Sequence, residues 1–127
     1  VIPRNTLAVL KNPSQGKSER ILCVCSAGVL RSPTAAALLI RRGYNTRSCG
    51  SEGYALVPLS QALIAWADTI ICMEEDHYAA VMSVVENVYL LDDPRPAIHV
   101  LGIQDNFDYM QGELINLLET KFDELMI

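Results

Sequence analysis

Cys25-Ser26-Ala27-Gly28-Val29-Leu30-Arg31-Ser32-Pro33 places a thiol nucleophile, a guanidinium and two hydroxyls on one short stretch of chain. It follows the apolar run 21–25 and precedes the alanine- and leucine-rich run 35–40. A loop between a buried strand and a helix N-terminus can turn successive N–H groups inward, and the helix dipole adds about half a positive charge. That cradle suits an anion, phosphate above all. Ser26, Ala27, Gly28, Val29, Leu30 and Arg31 are the candidate phosphate-binding residues. Gly28 can take the positive φ that lets the loop curl, and Arg31 offers a planar fork to two phosphate oxygens. Cys25 stands in the same positive field, where thiols ionise readily, and the Ser32 hydroxyl is a donor within reach.

A phosphoester leaving group also needs a proton, and an ionised thiol has none to give. A carboxylic acid near the same sheet edge must supply it. Asp92 and Asp93 precede the stiffening Pro94, and Asp105 lies two residues before Phe107. Spacing does not choose between them.

These residues need a scaffold. The continuous apolar run 21–25 reads as a strand buried on both faces. Ser32 as N-cap, Pro33 in the first turn and Gly43 as stop predict a helix to about residue 42. A short strand is expected over 45–49, helical spacing over 59–67, a strand over 69–73 and a helix over 75–84. Two runs, 87–91 and 98–103, compete for the fourth strand, and both can be strands. Leu114, Leu117, Leu118, Phe122 and Leu125 form the stripe of a last helix. Strands alternating with helices predict an α/β fold: one doubly wound domain, a four-stranded parallel sheet with helices on both faces. Such sheets bind ligands at the carboxyl ends of their strands. The polar, turn-rich stretch 12–18 marks residues 1–18 as an N-terminal extension to a domain over 19–127.

Composition narrows the function classes. The chain has 127 residues, half of them apolar, enough to build a core without metal or disulfide staples. Its longest apolar stretches, 35–40 and 62–67, fall far short of the ~20 residues a membrane span needs. The cluster 7–10 is too short for a signal-peptide core. Ten basic against fifteen acidic residues give a net charge of -5, which repels a nucleic-acid backbone. The four cysteines lack C-x2-C spacing and read as reduced thiols in a cytoplasmic protein, with Cys23 and Cys72 as inert core residues. His77 reads as an exposed first-turn residue and His99 as a strand or loop residue, neither a metal ligand. Gly16-Lys17-Ser18 lacks the glycine and the following helix that a P-loop requires.

Cys-x5-Arg-Ser-Pro between a first strand and a helix resembles the low-molecular-weight protein tyrosine phosphatases. Two further stretches are similar to that family. Ser48-Cys49-Gly50-Ser51 is like its Ser-Ala-Gly-Thr, and Ala67-Asp68-Thr69-Ile70-Ile71-Cys72-Met73-Glu74 is like its Ala-Asp-x-Ile-x-x-Met-Asp. The resemblance covers about residues 20 to 125 and implies a metal-independent, cofactor-free phosphatase acting on a phosphorylated protein or small phosphoester. It implies that Cys25 attacks phosphorus, that Arg31 and the loop amides hold the equatorial oxygens, and that a late Asp protonates the leaving group. The family's acid stands in Asp-Pro before an aromatic, just ahead of the last helix; Asp105 matches in place and aromatic, Asp93 in its proline. Asp105 is preferred. Ala27, Gly28 and Leu30 replace the family's Gly, Asn and second Cys, and Val29 stands where its arginine-phosphatase branch carries Thr. Tyr54 and Phe107 are the candidate aromatic walls for a phenyl ring. Two other readings compete: an arsenate reductase, with Cys49 and Cys72 as resolving thiols, and a phosphate- or phosphopeptide-binding module without turnover.

Overall fold

The computed structural model describes residues 19–90 and 92–127; the extension expected over 1–18, with its Gly16-Lys17-Ser18, lies outside them. Strands β1 (Arg20–Cys25), β2 (Asn45–Gly50), β3 (Thr69–Cys72) and β4 (Ala97–Val100) alternate with helices α1 (Arg31–Arg41), α2 (Gln61–Trp66), α3 (Glu75–Val88) and α4 (Gly112–Glu124). All strand pairs are parallel, in the order β2-β1-β3-β4. This is the expected α/β sheet. Residues Ile21 to Cys25 are almost wholly buried because β1 is central and covered on both faces.

The two faces build two cores. On one, Ile21, Cys23, Cys25 and Ile71 pack with Leu38 and Leu39 of α1 and Leu114, Leu118 and Phe122 of α4. On the other, Leu22, Val24, Cys49 and Ile70 pack with Ile64 and Trp66 of α2 and Val81, Val85 and Val88 of α3. That valine stripe corrects one expectation. Val81, Val85 and Val88 recur at helical spacing, so the run 87–91 begins as the last turn of α3, and among the described residues only the second run yields a strand. Among them, too, no helix is long and apolar enough to cross a membrane.

Local signals end the elements. Gly43 takes φ +96°, the left-handed conformation that closes α1, and its N–H donates to Ile40 O at 3.0 Å. Ser60 caps α2 by accepting the Leu63 N–H at 3.2 Å. At the amino edge of the sheet, the Arg20 fork grips Asp68 through Nε–Oδ2 at 3.1 Å and Nη2–Oδ1 at 2.8 Å. Asp68 of the Ala-Asp stretch therefore ties the start of β1 to that of β3.

The chain steps outward from β1 to β2, then crosses back over β1 to β3 and β4. The direction reverses between β1 and β3, and the crevice at their carboxyl ends is the switch point where such sheets bind ligands. The loops after β1, β3 and β4 converge there: Met73 N–H donates to Val24 O at 3.0 Å and Ile103 N–H to Met73 O at 2.8 Å.

Candidate active site

The loop 26–30 is held open by its neighbour, the segment after β2. Ser51, Glu52 and Leu56 donate their N–H groups to the carbonyls of Cys25, Ser26 and Ala27 at 2.8, 3.1 and 3.2 Å. In a trans peptide the N–H points opposite to the C=O, so the amides of Ser26, Ala27 and Gly28 are turned away from that segment, into the loop. The nest is thus imposed from outside. Gly28 has φ +74° and its N–H lies 3.3 Å from Cys25 Sγ.

Gly50 makes the staple possible. A Cβ there would collide with Ser26 O and stand 2.7 Å from the Ala27 carbonyl carbon and 2.6 Å from Ala55 Cβ. The obstruction is largely backbone and cannot rotate away. We expect Gly50→Ala to cost about 1–3 kcal/mol and to displace the loop, seen as a lowered Tm together with weaker phosphate binding. An unchanged Tm and affinity would contradict this packing.

Ser32 is buried but is not the helix cap. The helix starts two residues earlier than expected, with Leu30 as N-cap and no side-chain capping bond. Its hydroxyl instead bridges Cys25 Sγ at 3.0 Å and Cys49 O at 3.2 Å. One proton thus serves two acceptors: it rests on the carbonyl when Cys25 is a thiol and is available to the sulfur when Cys25 is a thiolate.

Arg31 is buried and aimed by four groups. Nη1 donates to Glu74 Oε1 and, at 2.8 Å, to Ile103 O; Nη2 lies 3.4 Å from Ser26 Oγ, and Nε lies 3.6 Å from Asp105 Oδ1. A small cavity of about 40 Å³ is lined by Cys25, Ala27, Val29, Leu30, Arg31 and Asp105. The Cys25 thiol, the Arg31 guanidinium and one candidate acid therefore line one cavity.

The other candidate acids are elsewhere. Asp92 and Asp93 follow the far end of α3 and precede β4, at the amino edge of the sheet, where Ala97 N–H meets Asp68 O. Asp93 Oδ2 accepts the Leu90 N–H at 2.8 Å, which is turn chemistry. Tyr54 is 74% exposed on the segment stapled to the loop, whereas Phe107 is half-buried against the α1–α4 core and does not stand free. Val29, a candidate phosphate-binding residue that lines the cavity, is exposed, as is Leu56 on the same segment as Tyr54.

The remaining thiols face the interior. Cys23, Cys49 and Cys72 are fully buried; burial pushes Cys49 and Cys72 each up to about 12 and Cys23 higher still. Cys49 and Cys72 belong to the core on the face opposite Cys25. Protonated, enclosed thiols are poor resolving groups, which removes support from the reductase reading.

Neither His77 nor Glu74 was expected as a site residue, although Glu74 closes the stretch that resembles the family's Ala-Asp-x-Ile-x-x-Met-Asp. His77, expected exposed, is buried: its Nε2 lies 2.9 Å from Ser26 Oγ and its Nδ1 accepts the Glu74 N–H at 3.0 Å. For His77 the one cue was its closeness to Met73-Glu74 at the end of a strand, where a loop leaves the sheet.

Burial, then repulsion from Arg31, push the His77 pKa below its ordinary 6.5, against pulls from Glu74, Asp76 and Asp105. Below 6.5 the unfolded chain binds a proton that the folded chain refuses, so the His77 contribution is complete above 6.5 and declines as pH falls towards the lowered value. His77→Gln cannot titrate, and its stability should fall less steeply from about pH 7 to about pH 5 than that of the unaltered protein. Parallel denaturation profiles would contradict the shift.

No family model matches the chain, and no curated protein matches it. Solved structures do. The tyrosine phosphatase Wzb from Escherichia coli K30, in complex with phosphate, superposes with TM-score 0.64 at 18% identity, covering 85% of this chain and 96% of that one. The fold is that of the low-molecular-weight tyrosine phosphatases. Vibrio vulnificus Wzb in complex with benzylphosphonate gives TM-score 0.61 at 16% identity, over 85% of this chain and 94% of that one. The arginine phosphatase YwlE from Geobacillus stearothermophilus gives 0.58 at 21%, over 85% and 93%. Tyrosine and arginine phosphatases thus share this phosphatase fold, and the substrate must be argued from the site itself.

Proposed function

We propose that this chain is a cysteine-dependent phosphatase that hydrolyses phosphomonoesters, aryl phosphates such as phosphotyrosine first among them, through a cysteinyl-phosphate intermediate. One observation carries the reading: Cys25 Sγ lies 3.0 Å from Ser32 Oγ and 3.3 Å from Gly28 N, and shares a cavity with Arg31 and Asp105. The Cys25 thiolate attacks phosphorus; the S–P bond forms as the ester P–O bond breaks, and the Asp105 carboxyl gives its proton to the leaving oxygen. Arg31 and the amides of residues 26–31 hold the three equatorial oxygens. Asp105, now a carboxylate, takes a proton from water; that water's oxygen attacks phosphorus, the S–P bond breaks, and inorganic phosphate leaves with the thiolate and the acid restored. No step calls on a metal or organic cofactor.

The aryl preference is supported by the exposed Val29, which lines the cavity, and by Tyr54 and Leu56, exposed on the segment bonded to the loop, which offer apolar surface to a phenyl ring. Val29, in place of the threonine found in the arginine branch, weighs against phosphoarginine. The phosphatase domain would run over 19–127 with 1–18 as an extension, and it would act in the cytoplasm on a phosphorylated protein or small phosphoester. The test is hydrolysis of p-nitrophenyl phosphate, a phosphotyrosine peptide and a phosphoarginine peptide in the presence of chelator. Turnover of the two aryl esters is expected. Absence of turnover with retained phosphate binding would replace the enzyme by a phosphate-binding module, and faster turnover of phosphoarginine would overturn the aryl preference.

A further inference from the structure

The chemistry assigned to Cys25, Arg31 and Asp105 makes no use of the enclosed His77 side chain beside the loop. His77, 2% exposed at the start of α3, is held at both ring nitrogens. The Glu74 backbone N–H donates to Nδ1 at 3.0 Å, so Nδ1 presents a lone pair and the neutral ring carries its proton on Nε2. Nε2 lies 2.9 Å from Ser26 Oγ and is therefore the donor there. Arg31 Nη2, which can only donate, approaches the same oxygen at 3.4 Å. Two donors face the hydroxyl oxygen, and its own proton must leave in a third direction. Among the described residues no acceptor takes it.

Position indicates what would. Ser26 stands at Nη2 of Arg31, and Asp105 stands at Nε. Nε and Nη2 form one edge of the guanidinium, and such an edge meets two oxygens of a phosphoryl group side by side. An oxygen bound at Nη2 would lie beside the Ser26 hydroxyl.

We propose that His77 is a positioning residue which, by holding Ser26 Oγ as an acceptor, directs the Ser26 hydroxyl proton to an oxygen of the phosphoryl group bound at Arg31. This rests on the phosphatase reading and extends it to a residue outside the loop. An imidazolium could not serve, because a proton on Nδ1 would face the Glu74 N–H, donor against donor. The charged groups around the ring keep it neutral on balance: Arg31 from the phosphate loop repels a proton, while Asp105 from the segment after β4, and Glu74 and Asp76 beside it, pull less than burial and Arg31 push.

The experiment measures inorganic phosphate affinity by calorimetry and p-nitrophenyl phosphate hydrolysis for the unaltered protein, Ser26→Ala, His77→Ala, His77→Gln and the double variant Ser26→Ala/His77→Ala. Each single alanine variant should weaken phosphate binding and kcat/KM by roughly 10-fold, the size of one hydrogen bond to a charged group. The double variant should be no worse than the weaker single one, because both remove the same bond. His77→Gln, whose amide N–H can reach Ser26, should recover most of the loss. Additive losses, or an unchanged phosphate affinity in Ser26→Ala, overturn the proposal even if every His77 variant folds poorly. An unaltered protein that binds phosphate without turnover would remove the phosphatase reading alone, and the affinities would still decide the role of His77. No phosphate binding at all would remove both.

Discussion

Cys25→Ser should reduce p-nitrophenyl phosphate turnover by at least ~10⁴-fold, the order of loss that follows removal of the nucleophile from a covalent catalyst. The reason is local. Ser32 Oγ and the Gly28 N–H are both donors available to position 25, and no base stands against Cys25 Sγ among its hydrogen-bond partners in the described residues. A serine hydroxyl at this position would need a base to take its proton. Arg31 and the loop amides survive the change, so inorganic phosphate should still bind. Cys72→Ala, altering a buried thiol on the far face of the sheet, should keep turnover within about threefold. Turnover in Cys25→Ser close to that of the unaltered protein, or equal loss in Cys72→Ala, would overturn the assignment of Cys25 as nucleophile.

Asp105→Asn carries the second large expected effect: kcat should fall by about 10²–10⁴-fold on phenyl phosphate or a phosphotyrosine peptide. On p-nitrophenyl phosphate the loss should be smaller, because nitrophenolate departs with less need of a proton. The expectation rests on where Asp105 stands. Its carboxylate lies 3.6 Å from Arg31 Nε and its side chain is 57% exposed, so it is loosely held by the very nitrogen a phosphoryl oxygen would claim. Substrate binding would displace it from Arg31 and free it to meet the leaving oxygen. Asp93→Asn is the control, since Asp93 caps a turn at the opposite end of the sheet. Equal kcat for Asp105→Asn and the unaltered protein on phenyl phosphate would remove Asp105 from the mechanism. A leaving-group-dependent loss in Asp93→Asn would mean that the sheet edge has been wrongly assigned.

The three acidic candidates show where reading along the chain stops. Asp-Asp-Pro and Gln-Asp-Asn are both ordinary loop sequences, and nothing in their composition distinguishes a loop at the carboxyl edge from one at the amino edge. The difference lay in the element preceding each. The run 87–91 resembled a strand because valine and leucine are enriched there, yet Val88 continues the buried stripe of Val81 and Val85. Once α3 reaches Val88, Asp92 and Asp93 must turn at the end of the sheet away from Cys25. Ser32 misled differently: a serine before proline at a helix start is usually a cap, but here its hydroxyl reaches Cys49 O and Cys25 Sγ in the interior. His77 looked like a solvated first-turn residue among Glu75 and Asp76, and became an interior one because Ser26 lies against that turn.

What the sequence by itself determined is what the chain makes with its neighbours: the alternation of strands and helices, the buried first strand, and a loop whose thiol, glycine and guanidinium lie within a few residues of one another. Those features depend on local periodicity and on a single strand-to-helix turn, which short-range sterics and helix electrostatics specify. Only the tertiary structure decided which distant groups complete the site. Glu74 and His77 come from the start of α3, Ile103 O and Asp105 from beyond β4, and the amides of Ser51, Glu52 and Leu56 from beyond β2. They meet at Cys25 and Arg31 because the strand order is β2-β1-β3-β4, and that order is settled by packing two apolar faces at once rather than by any residue's own preference.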